Sequence, residues 1–125
     1  MEKKIIVVNQ LPVAGPYSAA VEANGFIFLS GQLPVNLTTG EIISDIRDAT
    51  RQTLTNIQII ITAAGLTMSD IVKTTIFLAN MADFPVVNEI YAEFFPQEPP
   101  ARSTVEVSNL PKGVSLEIEA IAVKR

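Results

Sequence analysis

The sequence predicts an α+β fold in which two helices pack on one face of a mixed β-sheet. Two features of the 125-residue chain lead to this prediction: two runs with period-two alternation stand in its last third, and two stretches of helical period precede them. The predicted order is strand, hairpin, helix, strand, helix and two strands. Because no composition shift or repeat divides the chain, we expect a single domain over residues 1–125.

The first half of the chain carries clear turn signals. Asn24-Gly25 is the dipeptide most typical of a type I′ hairpin turn. Gly65 follows the first helical stretch at the position where a left-handed C-terminal residue is expected. The elements predicted for this half are an edge strand at 4–8, hairpin strands at 18–23 and 26–30, and a helix from Ser44 or Asp45 to Ala64.

The second half is predicted to hold one strand, one helix and two further strands. Asp83 is expected to cap the helix, with Pro85 in its first turn. The predicted elements are a strand at 71–78, a helix from about Asp83 to Phe95, and strands at 103–107 and 115–123.

If the two terminal runs pair as an antiparallel hairpin, they bring opposite charges onto one face. A register with Thr104 opposite Glu117 places Arg102 opposite Glu119. The remaining residues on the face of the two glutamates are apolar, which indicates a partly covered surface. A slip of one residue moves the acids to the other side, so the sequence leaves the register open.

The composition favours a globular oligomer. Hydrophobic residues make up 48% of the chain and charged residues 18%, which excludes a disordered protein. The strands at 26–29 and 72–78 are apolar on both faces, so we expect copies of the chain to cover each other. A net charge of −4 argues against nucleic-acid binding, which needs clustered Lys and Arg.

The chain contains no cysteine and no histidine. This excludes disulfides, zinc sites with thiolate or imidazole ligands, and Ser-His or Cys-His nucleophiles. Any reaction must use Arg, Glu, Tyr, Ser, Thr, Asn and backbone groups, with no metal and no cofactor. The sequence shows no secretory signal and no stretch of membrane-spanning length, so we expect a cytoplasmic protein that does not enter a membrane.

Arg102 is the main candidate for a binding residue, and two interpretations of it stay open. It either forms a cross-strand salt bridge with Glu119 or Glu106, or it binds a small carboxylate through two parallel N–H donors. Glu117 is likewise either a solvated strand residue or part of a covered site. The ring of Tyr17 either packs in the core or at an interface, or it forms a wall of that site. The residues alone therefore indicate a carboxylate-binding α+β oligomer.

Five blocks of sequence occur in an order that is characteristic of one protein family. They are Gly15-Pro16-Tyr17-Ser18, Ser30-Gly31-Gln32, Pro100-Ala101-Arg102-Ser103-Thr104-Val105-Glu106-Val107, Leu110-Pro111-Lys112-Gly113 and Glu117-Ile118-Glu119-Ala120-Ile121-Ala122. Together they closely resemble the RidA (YjgF) family of enamine/imine deaminases. The resemblance covers essentially the whole chain, and its most specific part is the terminal block.

The resemblance implies a chorismate-mutase-like fold and a homotrimer with three ligand clefts at subunit interfaces. In the family, the arginine matching Arg102 holds the substrate carboxylate, and the glutamate matching Glu117 handles the attacking water. Two departures bear on pocket shape: Ala19 stands where many relatives carry Gln, and Thr104 where some carry Cys. The further residues that the resemblance places at the cleft are Tyr17, Ser30, Gly31, Asn88 and Thr104.

The activity implied by the resemblance is hydrolysis of 2-imino acids, such as 2-iminobutanoate and 2-iminopropanoate, to 2-oxo acids and ammonia. Such imines and their enamine tautomers are released by pyridoxal-phosphate enzymes acting on threonine or serine. Arg102 and Glu117 are then the catalytic residues. The alternative is a non-catalytic or regulatory trimer that binds a 2-oxo acid or similar metabolite. It would use the same arginine but need no water-activating carboxylate.

Overall fold

A computed structural model describes residues 2–125 and contains one six-stranded mixed sheet with two helices. The strands follow the order β1-β2-β3-β6-β4-β5 across the sheet. The elements are β1 (Lys4–Ile6), β2 (Ala20–Ala23), β3 (Phe26–Gln32), α1 (Ile46–Ala63), β4 (Ile71–Leu78), α2 (Phe84–Phe94), β5 (Ala101–Glu106) and β6 (Leu116–Val123). Short 3₁₀ turns lie at Met68–Asp70, Met81–Asp83 and Pro111–Gly113. The predicted α+β class is confirmed.

The hairpin and the first helix form where the sequence predicts them. Asn24 and Gly25 take φ values of 52° and 80°, the left-handed pair that a type I′ turn needs between β2 and β3. The Asp45 side chain accepts a hydrogen bond from the backbone N–H of Asp48 at 3.0 Å and so caps α1. Gly65 follows α1 with φ 80°.

α2 begins where the sequence predicts, with Asp83 at the N-cap position and Pro85 in the first turn, but the predicted side-chain cap is absent. Asp83 makes no side-chain capping bond and already has helical backbone angles. A side-chain cap forms instead at the preceding 3₁₀ turn, where the Asn80 side chain accepts a hydrogen bond from the N–H of Ala82 at 2.9 Å. A 3₁₀ turn over Met81–Asp83 then leads directly into the α-helix.

The antiparallel hairpin considered for the last two strands is wrong. β5 pairs with β4 in parallel, and β6 inserts between β3 and β4 with antiparallel neighbours on both sides. The reason is the helix between β4 and β5, which returns the chain to the start of β4 and so makes a parallel pair. β6 is apolar on much of both faces, which suits a central position.

The two faces of the sheet differ in cover. The helices bury one face, where Leu29, Ile76 and Ile118 are at most 5% exposed. The other face, which we call the open face, carries Ile5, Phe28 and Val105 with 42–47% of their surface exposed. Among the described residues, no helix is long and apolar enough to cross a membrane.

Candidate functional site

The sheet separates the predicted site residues into two groups. Arg102 pairs with Thr74, whose side chain faces α2, so Arg102 lies on the helix-covered side. Glu117 pairs with Phe77, three residues along β4, and lies on the open face. The predicted arrangement of Arg102 and Glu119 opposite each other on one face is therefore wrong. A single chain does not bring Arg102 and Glu117 together.

Tyr17, Ser30, Gly31 and Glu117 line one cleft of about 630 Å³, which we call the glutamate cleft. More of its lining surface is apolar than polar. The further lining residues are Leu11, Pro12, Val13, Ala14, Ala19, Gln32, Leu33, Val35, Leu37, Gly40, Asn56, Pro111 and Lys112. Four of the seven predicted site residues therefore meet in one place.

The carboxylate of Glu117 lies directly against the backbone of Gly31. A Cβ atom built at Gly31 would overlap the carboxylate, so any larger residue would displace it. The sheet accommodates this approach through an irregularity in the β3–β6 register between Leu29 and Gln32. Gly31 thus provides room for Glu117.

Burial raises the pKa of the Glu117 carboxyl above its ordinary value, and the negative charge of Glu119 raises it further. Both causes disfavour the carboxylate form. A raised pKa makes the carboxylate a better proton acceptor once it has formed, as a general base requires.

The backbone around the cleft is held by three polar side chains, of which the sequence analysis assigned only Ser30 to the site. Gln32 is 7% exposed and donates to the carbonyl of Ser30 at 3.1 Å. The Ser30 hydroxyl in turn donates to the carbonyl of Ser18 at 2.5 Å. Asn56, 1% exposed, donates to the carbonyls of Leu33 and Val35 at 3.1 and 2.9 Å. An amide at a buried helical position is the signal that could have revealed Asn56.

Lys112 is a further residue that the sequence analysis did not assign to the site, although it lies in one of the five blocks of the resemblance. It lines the glutamate cleft and has φ 57°, a left-handed conformation that is uncommon outside glycine. Gly113 follows with φ 66°. The two left-handed residues turn the chain towards β6 and present the lysine at the cleft.

Arg102 lies in a second group on the other side of the sheet, which we call the arginine cluster: Arg102, Phe84, Asn88 and Tyr91. Its guanidinium donates from Nη1 to the Asn88 Oδ1 at 2.8 Å. The central guanidinium carbon lies 5.2 Å from the ring centre of Phe84 and 4.9 Å from that of Tyr91. These distances are typical of cation–π contacts.

Within residues 2–125, Arg102 forms no ion pair, so the predicted salt bridge to Glu119 or Glu106 is wrong. Glu106 instead accepts a hydrogen bond from the N–H of Met81 at 2.7 Å. Thr104 shares the face of Arg102, and its buried hydroxyl has no hydrogen-bond partner in the described chain. A guanidinium with unused donors and a hydroxyl beside it are suited to bind a small anion.

The described residues contain no cluster of three or more Asp, Glu, His or Cys side chains that could hold a metal ion. The arginine cluster and the glutamate cleft offer a cation, a carboxylate of raised pKa, hydroxyls and backbone amides.

Comparison with known proteins gives consistent matches over the whole chain. A family model described as Endoribonuclease L-PSP matches residues 7–124. The 2-iminobutanoate/2-iminopropanoate deaminase of Escherichia coli is 48% identical over 128 residues, covering 100% of both chains. A RutC family protein of Pyrococcus horikoshii is 50% identical over 125 residues, covering 99% of both.

Solved structures match equally well. The crystal structure of E. coli TdcF with bound serine is 45% identical, with a TM-score of 0.93, and the match covers 98% of this chain and 99% of that one. The E. coli YjgF gene product is 48% identical with the same TM-score and the same coverage. The similarity therefore extends over sequence and fold together.

Proposed function

Because the chain belongs to the RidA (YjgF) family, we propose that it hydrolyses 2-imino acids and their enamine tautomers to 2-oxo acids and ammonia. The substrates are 2-iminobutanoate and 2-iminopropanoate, which the name of its E. coli relative specifies. The observation that carries this proposal is the contact of Glu117, a carboxylate of raised pKa, with Gly31 in an open cleft. The reaction uses no metal and no cofactor. The cytoplasmic location expected from the sequence stays a prediction.

The complete site forms between two copies of a homotrimer in this proposal. The arginine cluster of one copy meets the glutamate cleft of its neighbour. Two observations support this arrangement: Arg102 and Glu117 lie on opposite faces of the sheet, and the open face exposes large apolar side chains such as Phe28. Exposed apolar surface of this kind is typical of subunit interfaces.

Arg102 binds and orients the substrate. Its unused N–H donors take the carboxylate of the imino acid in a fork that holds the C=N carbon in place. Asn88 and the two rings of the arginine cluster hold the guanidinium, and Thr104 offers its free hydroxyl to the bound anion. Orientation of this kind lowers the entropic part of the barrier.

Glu117 carries the proton transfers. It accepts a proton from water as the oxygen attacks the carbon of the protonated imine, which forms a carbinolamine. It then returns the proton to the amino nitrogen, the C–N bond breaks, and Glu117 passes the proton of the hydroxyl to the departing ammonia, which leaves as ammonium. The products are a 2-oxo acid and ammonium. Tyr17, Ser30 and Gly31 form the walls around the reacting carbon.

This set of residues is sufficient for the reaction. A protonated imine is already a good electrophile, so the protein needs orientation and one general base, which contributes roughly 10²–10⁴-fold. Ribonuclease activity, which the description of the family model suggests, is disfavoured by the net charge of −4.

The proposal is tested with a threonine dehydratase, threonine and semicarbazide, which traps the imine that survives. The wild-type protein should lower the amount trapped, while Arg102→Ala and Glu117→Ala should each abolish the effect. Co-refolding the two inactive variants should then restore activity at about a quarter of the interfaces, where an intact arginine meets an intact glutamate.

Two results would contradict parts of the proposal. If the refolded mixture stays inactive while each variant still assembles, Arg102 and Glu117 do not come from different copies. If Glu117→Gln turns over the imine at the wild-type rate, the protein binds the metabolite without using this carboxylate.

A further inference from the structure

One face of α2 surrounds the guanidinium of Arg102. Phe84, Asn88 and Tyr91 follow one another at spacings of four and three residues, which places them on one helical stripe. All three contact Arg102, two through their rings and one through its amide oxygen. Arg102 itself stands on β5, so its position depends on how α2 packs against the sheet.

Tyr91 is the most firmly held of these three residues. It is 4% exposed, and its hydroxyl lies 2.7 Å from the hydroxyl of Thr74, which is 1% exposed. On its other side, its ring packs against Phe95 with 4.6 Å between ring centres. Burial raises the pKa of the Tyr91 hydroxyl, so the side chain stays neutral at physiological pH.

Thr74 is also the residue that pairs with Arg102 between β4 and β5. The strand pairing sets the Arg102 backbone beside Thr74, and the hydroxyl contact sets the Tyr91 ring beside the same residue. The same buried threonine therefore fixes the positions of both Tyr91 and Arg102. This is a closed arrangement of three residues on three different elements.

We propose that Tyr91 is a positioning residue for Arg102, whose ring, anchored through Thr74, holds the guanidinium in the orientation that binds the substrate carboxylate. The inference rests on the proposed function, because it assigns Tyr91 a role in the same site. An arginine has several flexible torsions, and an unsupported guanidinium samples many directions. A ring that holds the guanidinium in one direction before the substrate binds removes part of the entropy cost of binding.

The test compares Tyr91→Leu, Tyr91→Phe and a matched control, Phe94→Leu, in the semicarbazide assay. Phe94 lies on the same helix but outside the arginine cluster. Tyr91→Leu should raise KM for 2-iminobutanoate about three- to thirtyfold, as expected for loss of a cation–π contact, with kcat changed less than threefold. Tyr91→Phe keeps the ring but loses the hydroxyl contact with Thr74, so it should raise KM by a smaller factor than Tyr91→Leu does. Phe94→Leu should leave KM unchanged.

Thermal unfolding of each variant identifies loss of structure, and Tyr91→Met replaces Tyr91→Leu if the latter does not fold. If Arg102→Ala is inactive but Tyr91→Leu and Phe94→Leu have equal KM values, the proposed role of Tyr91 is overturned while the proposed site stands. A fully active Arg102→Ala would instead overturn the proposed site. A fall in kcat with unchanged KM would also exclude a role in binding the carboxylate.

Discussion

The carboxylate of Glu117 occupies the space that a side chain at position 31 would fill. Gly31 is not in the left-handed region, so its backbone would accept alanine without strain. Glycine is required at position 31 because a side chain there would overlap the Glu117 carboxylate, and not because of the backbone conformation. A substitution at position 31 should therefore displace the Glu117 carboxylate without straining the backbone.

Gly31→Ala should lower kcat/KM for 2-iminobutanoate by about 10² or more, because the added methyl group displaces Glu117, the general base of the proposed mechanism. Thermal stability should change little, since the glutamate side chain moves away from the methyl group. The measurement is the semicarbazide assay together with a melting curve.

Gly65→Ala provides the matched control. Gly65 has φ 80° and open space around its Cβ position, so alanine there strains the backbone without meeting a neighbour. It should lower stability by about 1 kcal/mol and leave kcat/KM intact. A Gly31→Ala enzyme with full activity would show that the position of Glu117 is not critical.

The pH profile should report the raised pKa of Glu117. As pH falls through this pKa, the carboxylate is protonated and kcat/KM declines, so the acid limb should lie above the ordinary pKa of glutamate. Glu119→Gln removes the negative charge that contributes to the shift and should move this limb to lower pH. If Glu119→Gln leaves the acid limb at the same pH, the limb reports the titration of a group other than Glu117.

The fold could be predicted from the sequence wherever the signal is local. Asn24-Gly25 and Gly65 are turn signals that act on the residues next to them, and the hairpin and the end of α1 form where these signals predict. The pairing of β5 was wrong because strand order depends on contacts between distant segments. Period-two alternation identifies the face of a residue but not the strand beside it.

The site could be predicted only in part for the same reason. Arg102 and Thr104 do share a face, as the alternation indicates, but the parallel pairing puts that face under α2 and away from Glu117. The spacing of Tyr91 from Phe84 and Asn88 predicts only that the three residues share one helical face. The contact of Tyr91 with Arg102 follows from packing that no local pattern encodes.

Glu117→Gln should make the protein more stable at neutral pH. Because the folded-state pKa of Glu117 is raised, protonation favours the folded state, and that stability is lost as pH rises from the unfolded pKa through the folded one. Glutamine does not titrate and keeps the neutral form at all pH values. Urea unfolding at one protein concentration should show a higher midpoint for Glu117→Gln at pH 7. The difference should shrink below about pH 4, where both proteins are uncharged at this position.

Phe28→Asp should separate the copies of the chain. Phe28 is 46% exposed on the open face, and a buried carboxylate in an apolar interface is strongly unfavourable. Light scattering should show a monomer, and activity should fall by more than a hundredfold, because Arg102 and Glu117 then belong to no common site. Ile42→Asp places the same charge at a residue that is 42% exposed but lies outside the sheet, and it should leave the trimer and its activity intact. An active Phe28→Asp monomer would contradict the site between copies, since one chain keeps the two residues on opposite faces.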